Sequence, residues 1–262
     1  MTPADAGILF VASSVAGVVN SIAGGGSLIT FPVLLWLGRD PIVANATNTV
    51  SLSPGSVAAL YGFGHELEGL RPWIARGTIP SLAGGVLGAV LLLRTPSPVF
   101  ASFVPYLVLF ATALFALSGP INALARRWSG GERGATDAGV PRSPRWVPIM
   151  LYQLGVSIYG GYFGAGIGIM MLAGLELAGF TAIHRTIALR NYYAILINGI
   201  AAVYFIAFGT IQWGDAAVLT AGQIIGGLVG ARVARTLPAT TVRWVVVTIG
   251  VAMALSLLAR AT

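Results

Sequence analysis

The sequence contains no cysteine and no lysine. Without cysteine there is no disulfide, no thiolate metal site and no cysteine nucleophile, and nothing that marks a redox compartment. Histidine is nearly as scarce, with His65 and His184 alone in the chain, which argues against a histidine-built metal centre. Charge is the next shortage: 9% of the 262 residues are charged, against roughly a quarter in an ordinary soluble domain. Eight acids and fifteen arginines cannot wrap a chain of this length in water, so a soluble globular protein is excluded. No His-Glu-x-x-His, no Gly-x-Ser-x-Gly and no lysine-bearing phosphate loop occurs, so neither enzymatic chemistry nor a metal or cofactor is expected.

What is abundant is apolar surface: 56% of residues are hydrophobic and the mean hydropathy is +0.85. Lipid is the expected solvent. The net charge of +7 comes from arginines set singly or in pairs between apolar runs. That is the distribution of loop charges that orient a membrane protein, not of a basic, aromatic-interleaved stripe, and no nucleic-acid partner is expected. Residues 1–5 carry no basic n-region, so the first apolar segment is expected to remain in the mature protein.

Apolar runs cover residues 7–38, 41–63, 77–93, 98–117, 146–178, 186–208, 216–233 and 242–259. Most match the roughly 20 residues of a spanning helix. The first and fifth are too long for one straight pass and are interrupted by glycines, so each reads as a broken helix or a re-entrant hairpin. Residues 125–145 are rich in Gly, Pro, Ser and Arg and read as a flexible connector. The expected organisation is a first transmembrane repeat (1–118), a cytoplasmic linker (119–145) and a second repeat (146–262). The fold class is an all-α polytopic membrane protein with two homologous halves, each with one glycine-broken element and three spanning helices.

Internal duplication supports that division. Residues 22–27 laid over 163–168 bring Asn48 over Asn191 and Gly85 over Gly227 with one or two residues of slippage. If all eight runs cross once, the arginines divide almost evenly between the two sides. If the first and fifth runs fold back as hairpins, Arg71, Arg76, the five linker arginines, Arg185, Arg190, Arg232, Arg235 and Arg243 fall on the linker side. Only Arg39, Arg94 and Arg260 then fall opposite. Positive charge concentrates in the cytoplasm, so the repeats are expected to be inverted.

The glycines have two uses. Gly84, Gly85, Gly88, Gly160, Gly161, Gly226 and Gly227 fit close helix packing. Gly24-Gly25-Gly26-Ser27, followed by Thr30, reads as a break and restart with Ser27 as N-cap, and Gly164, Gly166 and Gly168 offer the same device in the second half. A helix starting in mid-membrane aims free N–H groups and a positive dipole end inward, which suits an anion. Asn48 and Thr49 lie in a polar stretch of an otherwise apolar run, a costly placement unless it faces a cavity or a partner helix. Arg190, next to Asn191 in the matching stretch, has a guanidinium whose fork matches anionic oxygens, or equally one that snorkels to the cytoplasmic interface beside His184 and Arg185. Glu176 is the acid that would cancel it by pairing. His65 and Glu66, clustered with Glu68, are candidates for proton coupling, although such a cluster is more often a solvated loop. Trp36, Trp73, Trp146, Trp213 and Trp244 flank apolar runs as interface anchors do.

Residues 20–27 leading to Phe31-Pro32, the run Ala44-Asn45-Ala46-Thr47-Asn48-Thr49, and Tyr162-Phe163-Gly164-Ala165-Gly166-Ile167-Gly168 resemble the TauE/SafE sulfite exporter family over nearly the whole chain. The resemblance implies a bacterial inner-membrane carrier for small anions such as sulfite, organosulfonates or sulfur-containing carboxylates, with the glycine segments lining the path. The expected site joins Gly24, Gly25, Gly26, Ser27, Thr30, Asn48 and Thr49 to Gly164, Gly166, Gly168, Arg190 and Asn191. A passive anion channel and a non-transporting scaffold are the alternatives, and a homodimer is a possible assembly.

Overall fold

The computed structural model describes residues 1–22, 25–61, 64–128, 135–136, 139–141, 144–233 and 239–261, so Gly24 of the first glycine motif lies outside the described residues. In chain order the helices are α1 (Pro3–Ile22), α2 (Ser27–Trp36), α3 (Pro41–Tyr61), α4 (Arg71–Arg94), α5 (Ser97–Ala116), α6 (Ser118–Trp128), α7 (Trp146–Tyr162), α8 (Ile167–Leu177), α9 (Ile183–Phe208), α10 (Trp213–Val233) and α11 (Ala239–Ala261). A 3-10 turn, Gly64–Leu67, follows α3. Among the described residues there is no strand, only an isolated bridge between Ala135 and Pro141. Pro3–Asn20, Arg71–Arg94, Ser97–Ala116 and Ile183–Phe208 are each long and apolar enough to cross a membrane.

The two long apolar runs each form a pair of antiparallel helices. A Cβ on Gly26 would lie 2.9 Å from the Ala16 carbonyl, and Arg39, beyond the end of α2, reaches back to Asp5 near the start of α1 at 3.6 Å. In the second half Gly160 packs near Ile167, the Tyr152 hydroxyl donates to the Met170 carbonyl at 2.7 Å, and Gly174 lies against the Tyr152 ring. Each pair therefore returns the chain to the end of the bundle from which it started.

The remaining contacts sort into two ends. At one, Arg39 donates to both carboxylate oxygens of Asp215, at 2.6 and 3.2 Å, and Ser97 donates to Asp40. The hydrogen bond to Asp215 pushes the Arg39 guanidinium above its already high range. At the other end Arg76 stacks on Trp146, and Arg126 donates to Glu176 at 2.8 and 3.0 Å. Asp215 and Glu176 are both buried, and each is neutralised by an arginine from a distant part of the chain.

The halves are interlocked rather than side by side. The most extensive helix pairings join α1 to α10 and α4 to α7, a reciprocal exchange between halves, with α3 on α9 between them. Glycine makes these approaches possible. A Cβ on Gly226 would strike the Ser14 carbonyl, one on Gly88 the Ile158 carbonyl and the Tyr162 nitrogen, and one on Gly161 the Gly85 carbonyl. Such backbone-to-backbone contact is the usual means of association where lipid offers no hydrophobic drive between helices.

Two sequence expectations change. The connector is anchored where it is described: α6 runs to Trp128 and buries Ala125, and the Gly139 carbonyl accepts the N–H groups of Thr181 at 3.0 Å and Ala182 at 3.4 Å. A backbone acceptor facing two N–H donors and a buried acid needing a cation outweigh the flexibility that Gly and Pro would confer. Trp73 is not an interface anchor; it is buried against Trp146 and Phe180, with ring centroids 4.7 and 4.6 Å away.

Gly88→Ala should lower the thermal midpoint of the detergent-solubilised protein by the equivalent of about 1–3 kcal/mol, the cost of overpacking. Gly155→Ala, where an added Cβ meets nothing within 4 Å, should leave the midpoint unchanged or slightly raised in the same melt.

Candidate functional site

In the first half, the site begins where α1 gives way to α2. Gly25 has φ +145° and sits against the Phe115 ring, which leaves no room for a side chain, and its N–H is held by the Asn20 side-chain oxygen at 3.2 Å. Gly26, not Ser27, is the N-cap of α2, and no side chain caps the helix. The helix begins one residue earlier than the Ser27-cap reading requires, because the Gly26 carbonyl already accepts the Thr30 N–H at 3.1 Å. Ser27 is the first helical residue, half-buried, with its hydroxyl uncommitted to any described partner. One turn on, fully buried Thr30 donates its hydroxyl to the Asn48 side-chain oxygen at 2.5 Å. Thr49 donates to the Asn45 carbonyl within its own helix at 2.9 Å.

In the second half, Gly164 and Gly166 both adopt left-handed backbone, φ +84° and +83°, and Gly166 is the N-cap of α8. The N-caps place Gly26 opposite Gly166, one residue from the register read off the sequence. Gly168, in the first turn of α8, faces the Arg190 guanidinium, whose carbon lies 3.6 Å from where a Cβ would stand. Arg190 donates Nε and Nη2 to the Asn191 side-chain oxygen at 3.0 and 2.7 Å. Among the described residues no carboxylate pairs with it, because Glu176 is taken by Arg126. Arg190 lies seven residues into α9, about 10 Å from its start at 1.5 Å per residue. A guanidinium beside a helix N-terminus sets positive charge next to the dipole's positive end, roughly half an elementary charge. Such a pairing is repulsive unless an anion lies with it.

The two glycine turns converge. Gly25 lies on Phe115 and Gly166 on Leu114 and Ala111, so one stretch of α5 backs both. The Asn45 amide donates to the Tyr162 carbonyl at the end of α7 at 2.9 Å, Phe31 meets Phe163 edge-on at 5.4 Å, and the Tyr159 hydroxyl donates to the Ala165 carbonyl at 2.8 Å. Asn45, Phe31 and α5 thus make the contacts of the seam between the two turns, while among the described residues no hydrogen bond or ion pair joins Thr30 or Asn48 to Arg190 or Asn191.

Asn45 and Asn198, whose side-chain oxygen is 3.8 Å from a Cβ placed on Gly164, are polar residues of this region that spacing did not single out. Asn198 is a lone amide in an apolar run, and Asn45 belongs to the same polar stretch that marked Asn48. His65 and Glu66 are not brought to the seam: they lie in the 3-10 turn after α3, where fully exposed His65 is 3.3 Å from Glu68.

Together these features define an all-helical chain in which four helices are long and apolar enough to cross a membrane, with polar contacts between its two glycine-containing turns. The profile of the family described as Sulfite exporter TauE/SafE matches residues 9–257, and the chain belongs to that family. It is similar to a probable membrane transporter protein, ORF9, of Sinorhizobium sp, at 31% identity over 97% of this chain and 92% of the relative. It is similar also to a probable membrane transporter protein of Haemophilus influenzae, at 32% identity covering 92% and 89% of the two chains. The probable membrane transporter protein YfcA of Escherichia coli K12 is 27% identical, covering 98% and 91%. No solved structure matches the chain.

Removing the Thr30 hydroxyl leaves Asn48 buried without its donor. Thr30→Val should destabilise the protein by about 1–3 kcal/mol, while Thr30→Ser, which keeps the donor, should recover most of the loss in the same thermal melt.

Proposed function

We propose that the protein is a secondary transporter that carries a small sulfur oxyanion, such as sulfite, an organosulfonate or a sulfur-containing carboxylate, across the bacterial inner membrane. Arg190 carries the proposal: a guanidinium with no described carboxylate partner, set against the first turn of α8. Nε and one Nη2 hydrogen are occupied by Asn191, and the remaining N–H groups, with the first amides of α8, would bind the anion's oxygens. Ser27, Thr30 and Asn48 would close the site from the α2 side, with Gly25 and Gly26 giving the backbone access.

In this reading the two halves are inverted repeats. Its support is that both helix pairs, α1 with α2 and α7 with α8, return the chain to the end where it entered. Three further crossings by α3, α4 and α5 then bring α7 in from the opposite side. The arginine distribution puts the linker end in the cytoplasm. Alternating access follows from the same symmetry. The tail of α2 is fastened at one end by Arg39 to Asp215 and the tail of α8 at the other by Glu176 to Arg126; opening each end in turn requires these ion pairs to break alternately.

In proteoliposomes, saturable counterflow of labelled sulfite or a small sulfonate is expected. Arg190→Gln should cut it about 10- to 100-fold, the value of one or two charge-assisted hydrogen bonds, and Arg190→Lys should cut it less. Flux that does not saturate would assign a channel. Absence of flux and of anion-dependent stabilisation across the panel would assign a scaffold role, and an undiminished Arg190→Gln would remove that residue from the site.

A further inference from the structure

A cleft of about 570 Å³ opens at the linker end, between the starts of α4 and α7 and the ends of α6 and α8. Three tryptophans, Trp73, Trp128 and Trp146, form its walls, and Arg76 and Arg145 line it. The Arg76 guanidinium carbon lies over the Trp146 ring, 4.1 Å from its centroid, a cation–π contact that leaves its N–H groups to bind something else. Neither arginine has an ion-pair partner among the described residues, and the buried acid at this end, Glu176, is already paired with Arg126. The cleft is much larger than a small oxyanion needs, and none of Gly168, Arg190, Thr30 and Asn48 lines it.

The surroundings select the occupant. One to two turns farther along the same helices, Ile79 of α4 and Leu151 of α7 are largely exposed. From the end inward, arginine and tryptophan share the first turns of α4 and α7, and exposed aliphatic side chains follow outside the cleft lining. An anionic phospholipid presents phosphate, glycerol ester and acyl chain in that order, and basic pockets at helix ends take such head groups. We propose that this cleft binds an anionic phospholipid, with Arg76 and Arg145 on the phosphate and Trp128 and Trp146 against the glycerol and upper acyl region. The proposal is independent of what the protein transports.

The test uses the full chain in phosphatidylethanolamine nanodiscs containing a small fraction of phosphatidylglycerol with brominated acyl chains. Tryptophan emission of the unmodified protein should be quenched more strongly than by brominated phosphatidylethanolamine at the same fraction. Phosphatidylglycerol should also raise the thermal midpoint by several degrees, a shift lost in the double variant Arg76→Gln, Arg145→Gln and kept in Arg94→Gln at the opposite end. Equal quenching by the two lipids, or a shift that survives the double variant, would overturn the proposal. A shift reproduced by inorganic phosphate in detergent would overturn it in favour of a free-anion site. Should the double variant fail to fold, the quenching comparison on the unmodified protein decides.

Discussion

In a medium without water, a helix can be interrupted only where its freed backbone groups find partners inside the protein. Every feature of the seam follows from meeting that demand twice. At the first interruption the Asn20 side chain takes the Gly25 N–H; at the second the Tyr159 carbonyl takes the N–H groups of Phe163 and Gly164, and the Tyr159 hydroxyl covers the Ala165 carbonyl. Both turns also need an apolar backing, and α5 supplies it to both through Ala111, Leu114 and Phe115. The halves must therefore interlock, because neither turn could be buried by its own hairpin alone.

Interlocking in turn sets the glycine usage. Exchange of α1 onto α10 and of α7 onto α4 brings backbones into contact at Gly17, Gly88, Gly161 and Gly226, where any side chain would push the helices apart and open the seam. The same exchange carries Arg39 to Asp215, an ion pair spanning 176 positions of the chain. Burying a charge is tolerable only beside its opposite, so these ion pairs hold the tails of the two short helices at opposite ends of the bundle.

Much of this was legible in the sequence because apolar length, glycine runs and polar intrusions are local signals. The two overlong runs announced that each would be divided, and glycine spacing marked the close packing of Gly85, Gly88, Gly161 and Gly226. Asn48 stood out as an amide in an apolar run. Less was legible wherever the answer depended on a partner far along the chain. Trp73 looked like an interface anchor until Phe180 and Trp146 closed over it, and the connector looked free until Glu176, Thr181 and Ala182 proved to hold it.

Sequence by itself determined the helical class, the apolar spans and the family, since each is written in composition or in short motifs. Only the tertiary structure decided which acid each arginine meets. Glu176 lies closer in sequence to Arg190 than to Arg126, yet it faces Arg126, because α8 presents its last turn to α6 and its first turn to α9. That Arg190 meets no carboxylate among the described residues is a property of three-dimensional neighbours, and the proposed function rests on it.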